Sequence, residues 1–170
     1  VGLLHRRTDW QGERVLISAG PTQEPIDPVR FISNGSSGKM GFALAEAAVE
    51  RGAEVVLVTG PTQLGAPKRV TVVPVVTAEE MRQTLTARFE WATTLLMTAA
   101  VGDFRAAQVH AHKLKKDQWN GEGLALERTP DILMALSAQR THQRVIGFAA
   151  ETENLIEHGQ KKLQSKHLDM

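Results

Sequence analysis

The chain of 170 residues contains no cysteine. That absence excludes disulfides, thiolate metal sites and cysteine nucleophiles together. It suits a reducing compartment, and the expected location is cytoplasmic. No apolar run is long enough to cross a bilayer. The formal net charge is only +1, so charge points neither to nucleic acid nor to an acidic membrane, and neither is expected as a partner. There are no internal repeats and no low-complexity segments. Three familiar loop signatures are missing as well. No G-x-G-x-x-G follows a strand. Gly38-Lys39 is followed by Met40, which breaks the phosphate-loop pattern G-x-x-x-x-G-K-[ST]. Ser36 and Ser37 lie in no G-x-S-x-G elbow, so a hydrolase triad is not indicated. The six histidines are scattered; His110 and His112 are close in sequence, but no third ligand is near.

What is present suffices for one domain with a real core. Residues 1–12 read as a linker or N-terminal arm, ahead of a domain over residues 13–170. Val1 is not an initiator methionine, and "HLDM" stops where a strand is expected. The chain is therefore expected to be a piece of a longer protein, truncated at its C-terminus. "RVLIS", "EVVLVTG", "RVTVV", "TTLLMTAA" and "RVIGFAAE" are short, continuously apolar runs, the pattern of strands buried on both faces. Between them lie helical patterns. "GFALAEAAVERG" places Phe42, Leu44, Ala45, Ala48 and Val49 at helical spacing. Thr77 with Glu80 is a capping box opening a helix that runs to about Trp91. Thr129-Pro130-Asp131 reads as an N-cap, a first-turn proline and an acidic first turn. Asn154 to Ser165 reads as a last helix. Alternating strands and helices predict an α/β fold: Rossmann-like, doubly wound, with a mainly parallel sheet and helices on both faces.

Ligands of such sheets bind beyond the carboxyl ends of the strands, and the unusual residues of this sequence fall there. After the first strand, Asn34, Gly35, Ser36, Ser37, Gly38 and Lys39 lead straight into a helix. Exposed N–H groups and the helix dipole would favour an anion there. Asn34-Gly35 as a tight turn, with serines capping the helix, accounts for the same residues, and the loop alone leaves both open. Lys113, Lys115 and Lys116 are either a solvated basic face or a neutraliser of polyphosphate. Asp103 either caps a turn or meets a ribose hydroxyl or a metal. Asp131 either favours a helix start or holds a magnesium ion. Lys162 and Lys166 share a helix face, which is tolerable beside an anion and ordinary in solvent.

Four strings in this order, "ISAGPTQEPIDPVRFISNGSSGKMG", "AAVGDFRAAQV…KLKK", "RTPDIL" and "VIGFAAET", resemble the phosphopantothenoylcysteine synthetases, the phosphopantothenate–cysteine ligases of coenzyme A biosynthesis, in their bacterial, CTP-using branch. The likeness runs from Arg14 onward. In bacteria that synthetase is usually the C-terminal half of a bifunctional protein whose other half is a flavin (FMN) decarboxylase. The resemblance implies a ligase that joins 4′-phosphopantothenate to L-cysteine through an acyl-cytidylate made from CTP, with Mg²⁺ or Mn²⁺, in a homodimer. It implies that Lys113 meets the nucleotide phosphates and that Asn34 serves conversion of the acyl-cytidylate. It implies that Asp103 contacts the nucleotide, and that backbone at Met97, Thr98 and Ala99 reads the pyrimidine edge. Pro130, Asp131, Ile132, Leu133 and Phe148 match further nucleotide contacts, and Lys162 and Lys166 match lysines that meet the triphosphate. Two departures are Gly35, where a close relative would carry histidine, and Met97-Thr98 in place of smaller residues. The alternatives are an NAD(P)-binding Rossmann oxidoreductase, or a nucleotide-binding fragment without complete catalytic machinery.

Overall fold

A computed structural model describes residues 8–118, 123–150 and 152–170. The apolar run at the start of the domain is β1 (Arg14–Ala19), and every residue after its first is buried. It lies at the centre of a five-stranded sheet with β4 (Glu54–Thr59), β5 (Thr71–Pro74), β6 (Thr94–Met97) and β9 (Arg144–Gly147), in the order β5-β4-β1-β6-β9. All four pairings are parallel, with Leu16 opposite Val56 on one side and Leu95 on the other. The order runs outward from β1 in both directions, so it reverses between β1 and β6. That is the Rossmann-like arrangement expected from the sequence, with its crevice at the reversal point.

The two faces of β1 explain why its run is continuously apolar. Val15, Ile17 and Ala19 meet α1 (Lys39–Glu50) through Phe42, Ala45, Ala48 and Val49. Leu16 faces the other way, toward Met81, Leu85 and Phe89 of α2 (Ala78–Phe89) and toward Ile132 and Leu136 of α3 (Ile132–Ser137). Each fully buried Leu or Ile contributes about 1.5–3 kcal/mol, so both helical layers are held by burial. β4 passes to β5 through residues 60–70 without a helix, and α2 then carries the chain back across the sheet.

Two differences from the sequence reading have simple causes. Two short antiparallel ribbons, β2 (Gln23–Pro25) with β3 (Phe31–Ser33) and β7 (Phe104–Ala106) with β8 (Leu126–Arg128), lie in stretches read as loop; three residues are too few to show a period. α3 is capped by Asp131, whose Oδ1 accepts from the Met134 N–H at 3.1 Å. Thr129, read as the cap, instead donates its hydroxyl to the Gly102 carbonyl at 2.6 Å. Residues 8–12 are a docked arm: the Trp10 N–H donates to the Arg51 carbonyl at 3.0 Å, and the Arg51 guanidinium lies 4.6 Å from the Trp10 ring centre while pairing with Asp9.

At the other end, α4 (Leu155–Ser165) buries none of its residues. Beyond it, the Asp169 N–H donates to the Val145 carbonyl at 2.9 Å and the Gly147 N–H to the Met170 carbonyl at 2.8 Å. Asp169 and Met170 therefore lie along the outer edge of β9, where the sequence places the start of a strand. Among the described residues, no helix is long and apolar enough to cross a membrane.

Candidate functional site

The site is built on the close approach of α1 to the ends of β1 and β6. A Cβ at Gly41 would lie 2.5 Å from the Ala19 Cβ and 2.6 Å from the Thr98 Oγ1. A Cβ at Gly60 would lie 1.6 Å from the Pro21 carbonyl oxygen. The linear glycine fingerprint is absent, yet its packing duty is met by glycines from separate segments. The Pro21–Ala100 bridge and the Ala100 N–H donating to the Gly20 carbonyl at 2.8 Å knit the two strand ends together past the sheet.

The entrance to α1 is left open. Its N-cap is Gly38, at φ 76°, a left-handed turn that suits glycine. No side chain caps it, and its first turn carries no acid. Ser36 Oγ accepts from the Gly38 N–H at 3.3 Å, one residue short of the helix. Gly35, Ser36, Ser37 and Lys39 are exposed. Of the two readings of this loop, serine capping is the one the geometry does not bear out.

Asn34 follows β3 and reaches across the rim, with Nδ2 donating to the Val101 carbonyl at 3.0 Å. The next residue along, Gly102, is held from both sides: its N–H donates to Thr22 Oγ1 at 2.9 Å and its carbonyl accepts from Thr129. The Asp103 carbonyl accepts from the Thr129 N–H at 3.0 Å, so Asp103, itself exposed, stands next to the segment leading to Pro130 and Asp131. Asp131 Oδ2 forms an ion pair with Lys166. Phe148 follows the end of β9 and is half exposed.

Other predicted contacts point inward. Met97 and Ile132 are buried in the core against α2 and α3, with Leu133 packed partly against it. The Thr98 hydroxyl donates to the Ser18 carbonyl at 2.5 Å, and the N–H groups of Thr98 and Ala99 are bound by Ser18. Any reading of a base by residues 97–99 is thus left to groups other than those two N–H donors. Lys162, one turn before Lys166, lies on α4.

Lys113 is exposed, and its backbone is fixed by its neighbour. The Leu114 N–H donates to Asp27 Oδ2 at 3.1 Å, while the Leu114 carbonyl accepts from the Arg30 guanidinium. Asp27 Oδ1 accepts from the N–H groups of Val29 and Arg30, both at 2.8 Å, and Oδ2 pairs with the Arg30 guanidinium at 2.9 Å. Burial alone would raise the Asp27 pKa. The Val29, Leu114 and Arg30 N–H bonds and the Arg30 charge outweigh it and hold the carboxyl below its ordinary value. Segments 26–34, 98–103, 110–114 and 129–131 therefore form one connected set of loops. Lys115 and Lys116 follow on the same exposed segment.

A family model described as the DNA/pantothenate metabolism flavoprotein C-terminal domain matches residues 10–170. The chain belongs to this family. It is 47% identical over 161 residues to the coenzyme A biosynthesis bifunctional protein CoaBC of Bacillus subtilis (strain 168), covering 94% of this chain and 39% of that protein. It is 46% identical over 165 residues to the protein of that name from Escherichia coli (strain K12), covering 95% and 41%. The chain thus spans about two-fifths of the length of these relatives. Among solved structures, the C-terminal domain of CoaBC superposes with a TM-score of 0.83 at 47% identity, over 94% of this chain and 75% of that one. A Cab2 mutant in complex with phosphopantothenate-cysteine superposes with a TM-score of 0.74 at 19% identity, over 93% and 71%, which is a likeness of fold.

Within this flavoprotein C-terminal domain, three working residues have no motif of their own in the sequence. Asp27, in the run Pro25-Ile26-Asp27-Pro28, holds the Leu114 N–H from 87 positions away. Glu24, 2% exposed, accepts from the Ala78 N–H at 2.8 Å and so closes the start of α2 across 54 positions of sequence. Gly41 matters through contacts with two strands that no local pattern reports. A cleft of about 240 Å³ lies between Glu24, Thr77, Glu79, Arg105, Val109 and Glu127, and none of the predicted site residues lines it.

Proposed function

We propose that the domain is the ligase part of a coenzyme A biosynthesis enzyme and joins 4′-phosphopantothenate to L-cysteine at the expense of CTP. One observation carries this reading. Asn34 and Lys113, the residues to which the resemblance assigns the two chemical steps, are tethered to one connected loop set at the carboxyl rim. The relatives' names and the 47% identity of the CoaBC C-terminal domain support it.

In the first step a carboxylate oxygen of phosphopantothenate attacks the α-phosphorus of CTP. The bond from that phosphorus to the pyrophosphate oxygen breaks, leaving an acyl-cytidylate. In the second step the cysteine amine attacks the acyl carbon, the acyl–oxygen bond breaks, CMP leaves and the amine proton passes to solvent. A carboxylate approaching a triphosphate meets repulsion, so neutralisation and positioning dominate. Lys113 supplies mobile charge to the phosphates, with Lys162 and Lys166 near the triphosphate. The open start of α1, with Gly35, Ser36, Ser37, Gly38 and Lys39, offers N–H groups and dipole to an anionic group. The Asn34 amide donates to the acyl oxygen as charge grows there. Asp103, Phe148 and Pro130 flank the nucleoside, with the Ile132 side chain in the core behind them.

Among the described residues, no group of three or more carboxylates or histidines could hold a metal. Asp131, the candidate metal position, is engaged with Met134 and Lys166. These residues do not fit a resident cation, and an Mg²⁺ or Mn²⁺ ion would enter on the triphosphate. FMN would belong to a decarboxylase half outside this chain. Exposed Phe31, Phe104 and Leu126 on the two ribbons suit the homodimer that the resemblance implies.

The test is release of pyrophosphate on adding CTP, phosphopantothenate and Mg²⁺ to the protein as it occurs. Lys113→Gln is expected to slow release about 100-fold or more, the range for removing one transition-state donor. Asn34→Asp is expected to release pyrophosphate yet accumulate acyl-cytidylate. Binding of NADH with no response to CTP would favour the oxidoreductase reading instead. Product from Asn34→Asp without a trapped intermediate would dismiss the asparagine's role.

A further inference from the structure

Asp27 is a buried carboxylate to which the two chemical steps assign nothing. Its side chain is fully enclosed, at 0% exposure, while its partner Arg30 is 47% exposed. A loop carboxylate that only stabilised its own turn would need the Val29 and Arg30 N–H groups, and Oδ1 satisfies both. Oδ2 does something else. It accepts the Leu114 N–H from 87 positions away, and the Arg30 guanidinium that Oδ2 holds donates to the carbonyl of the same Leu114. Leu114 is thus gripped at both ends of its main chain by one ion pair. The His110 N–H donating to the Ile26 carbonyl at 2.9 Å adds a second tie between the same two segments. On one side, residue 30 runs through β3 directly into Asn34. On the other, Leu114 sits between Lys113 and Lys115.

We infer that Asp27 is a positioning residue that couples the lysine segment to the asparagine loop, setting Lys113 and Asn34 in one frame. The coupling is made to main-chain atoms, so it fixes where the Lys113 backbone sits while leaving the Lys113 side chain exposed and movable. Removing one partner of a buried, charge-assisted network leaves its other members unsatisfied. Loss of the Asp27 carboxylate therefore frees the Leu114 N–H and the Arg30 guanidinium together, and the lysine segment loses its anchor. The hydrogen bonds of Asp27 described above all go to loop residues, so the five-stranded sheet keeps its core. The catalytic part of this inference rests on the ligase reading.

The experiment is a double-mutant cycle on pyrophosphate release, with hydrogen exchange on the same variants of the protein as it occurs. Asp27→Ala is expected to slow release at least tenfold. Asp27→Ala with Lys113→Gln is expected to be no slower than Lys113→Gln alone, because the anchor acts only through that lysine. Exchange in Asp27→Ala should accelerate at residues 110–116 while β1 and β4 stay protected. Asp27→Asn, which keeps one carbonyl oxygen for the turn, should fall between wild type and Asp27→Ala. Multiplying defects in the double mutant, or unchanged exchange at residues 110–116, overturns the inference. Normal release in Asp27→Ala beside slow release in Lys113→Gln overturns it alone. Normal release in Lys113→Gln overturns the ligase role of the lysine and takes the inference with it.

Discussion

Two helices of twelve residues each start at the same rim of the sheet, and their first turns are treated in opposite ways. α2 is closed by side chains. Thr77 Oγ1 accepts from the Glu80 N–H at 3.2 Å, Glu80 Oε2 accepts from the Val76 and Thr77 N–H groups at 2.6 and 3.3 Å, and Glu24 takes the Ala78 N–H. Glu79 adds further negative charge to the same turn. α1 has a glycine cap, no side-chain acceptor and no acid. The positive end of the helix is neutralised at α2 and left uncompensated at α1, where the proposed function seats an anionic group. Propensity does not explain the contrast, since the serines needed to cap α1 are present and stand one residue too early.

The largest effect expected from testing this contrast is at the seat of α1. Gly41→Ala should destabilise the protein by roughly 3 kcal/mol, because its methyl meets backbone-anchored Ala19 and the Thr98 hydroxyl; urea unfolding checks it. A mirrored pair comes next. Met40→Glu puts an acid into the open first turn, where Met40 is 47% exposed. Stability should hold or rise by about 0.5 kcal/mol, while turnover of the anionic substrates falls about tenfold. Thr77→Ala, at the closed helix, should cost about 1 kcal/mol of stability and leave turnover unchanged. Equal behaviour of the pair would erase the contrast. The smallest effect is in pH dependence. The Arg82 hydrogen bond, then Gln83, pull Glu79 down to about 2 from 4.5. A depressed carboxylate stabilises the fold above its unfolded pKa and loses that contribution as pH falls through 4.5 toward 2. Glu79→Gln should flatten acid unfolding over that window, and modestly, because the pair is about one-third exposed.

The sheet was legible because burial on both faces writes itself as unbroken apolar runs, as in Val15 to Ile17. The α2 box was legible because Thr77 and Glu80 are local. Asn34 and Lys113 stood out as a loop and a basic cluster open to two readings, and the roles proposed for them came only from the resemblance. Their tethers end on the Val101 carbonyl and the Leu114 main chain, which have no signature in one sequence. The same holds for Glu24 on Ala78 and for Gly41 beneath Thr98. Asp131 was visible as a helix-start residue, but its choice over Thr129 depended on Gly102 claiming the threonine hydroxyl.

The loops of the rim are stitched by side chains that grasp peptide groups: Asn34 on Val101, Asp27 and Arg30 on Leu114, Thr22 and Thr129 on Gly102. A peptide carbonyl is common to every amino acid, and its N–H to all but proline. Mutational drift at Val101 or Leu114 can therefore proceed without unfastening the rim, whereas drift at the grasping residues cannot. Tolerance in this region should be lopsided, with the held positions permissive and the holding positions strict.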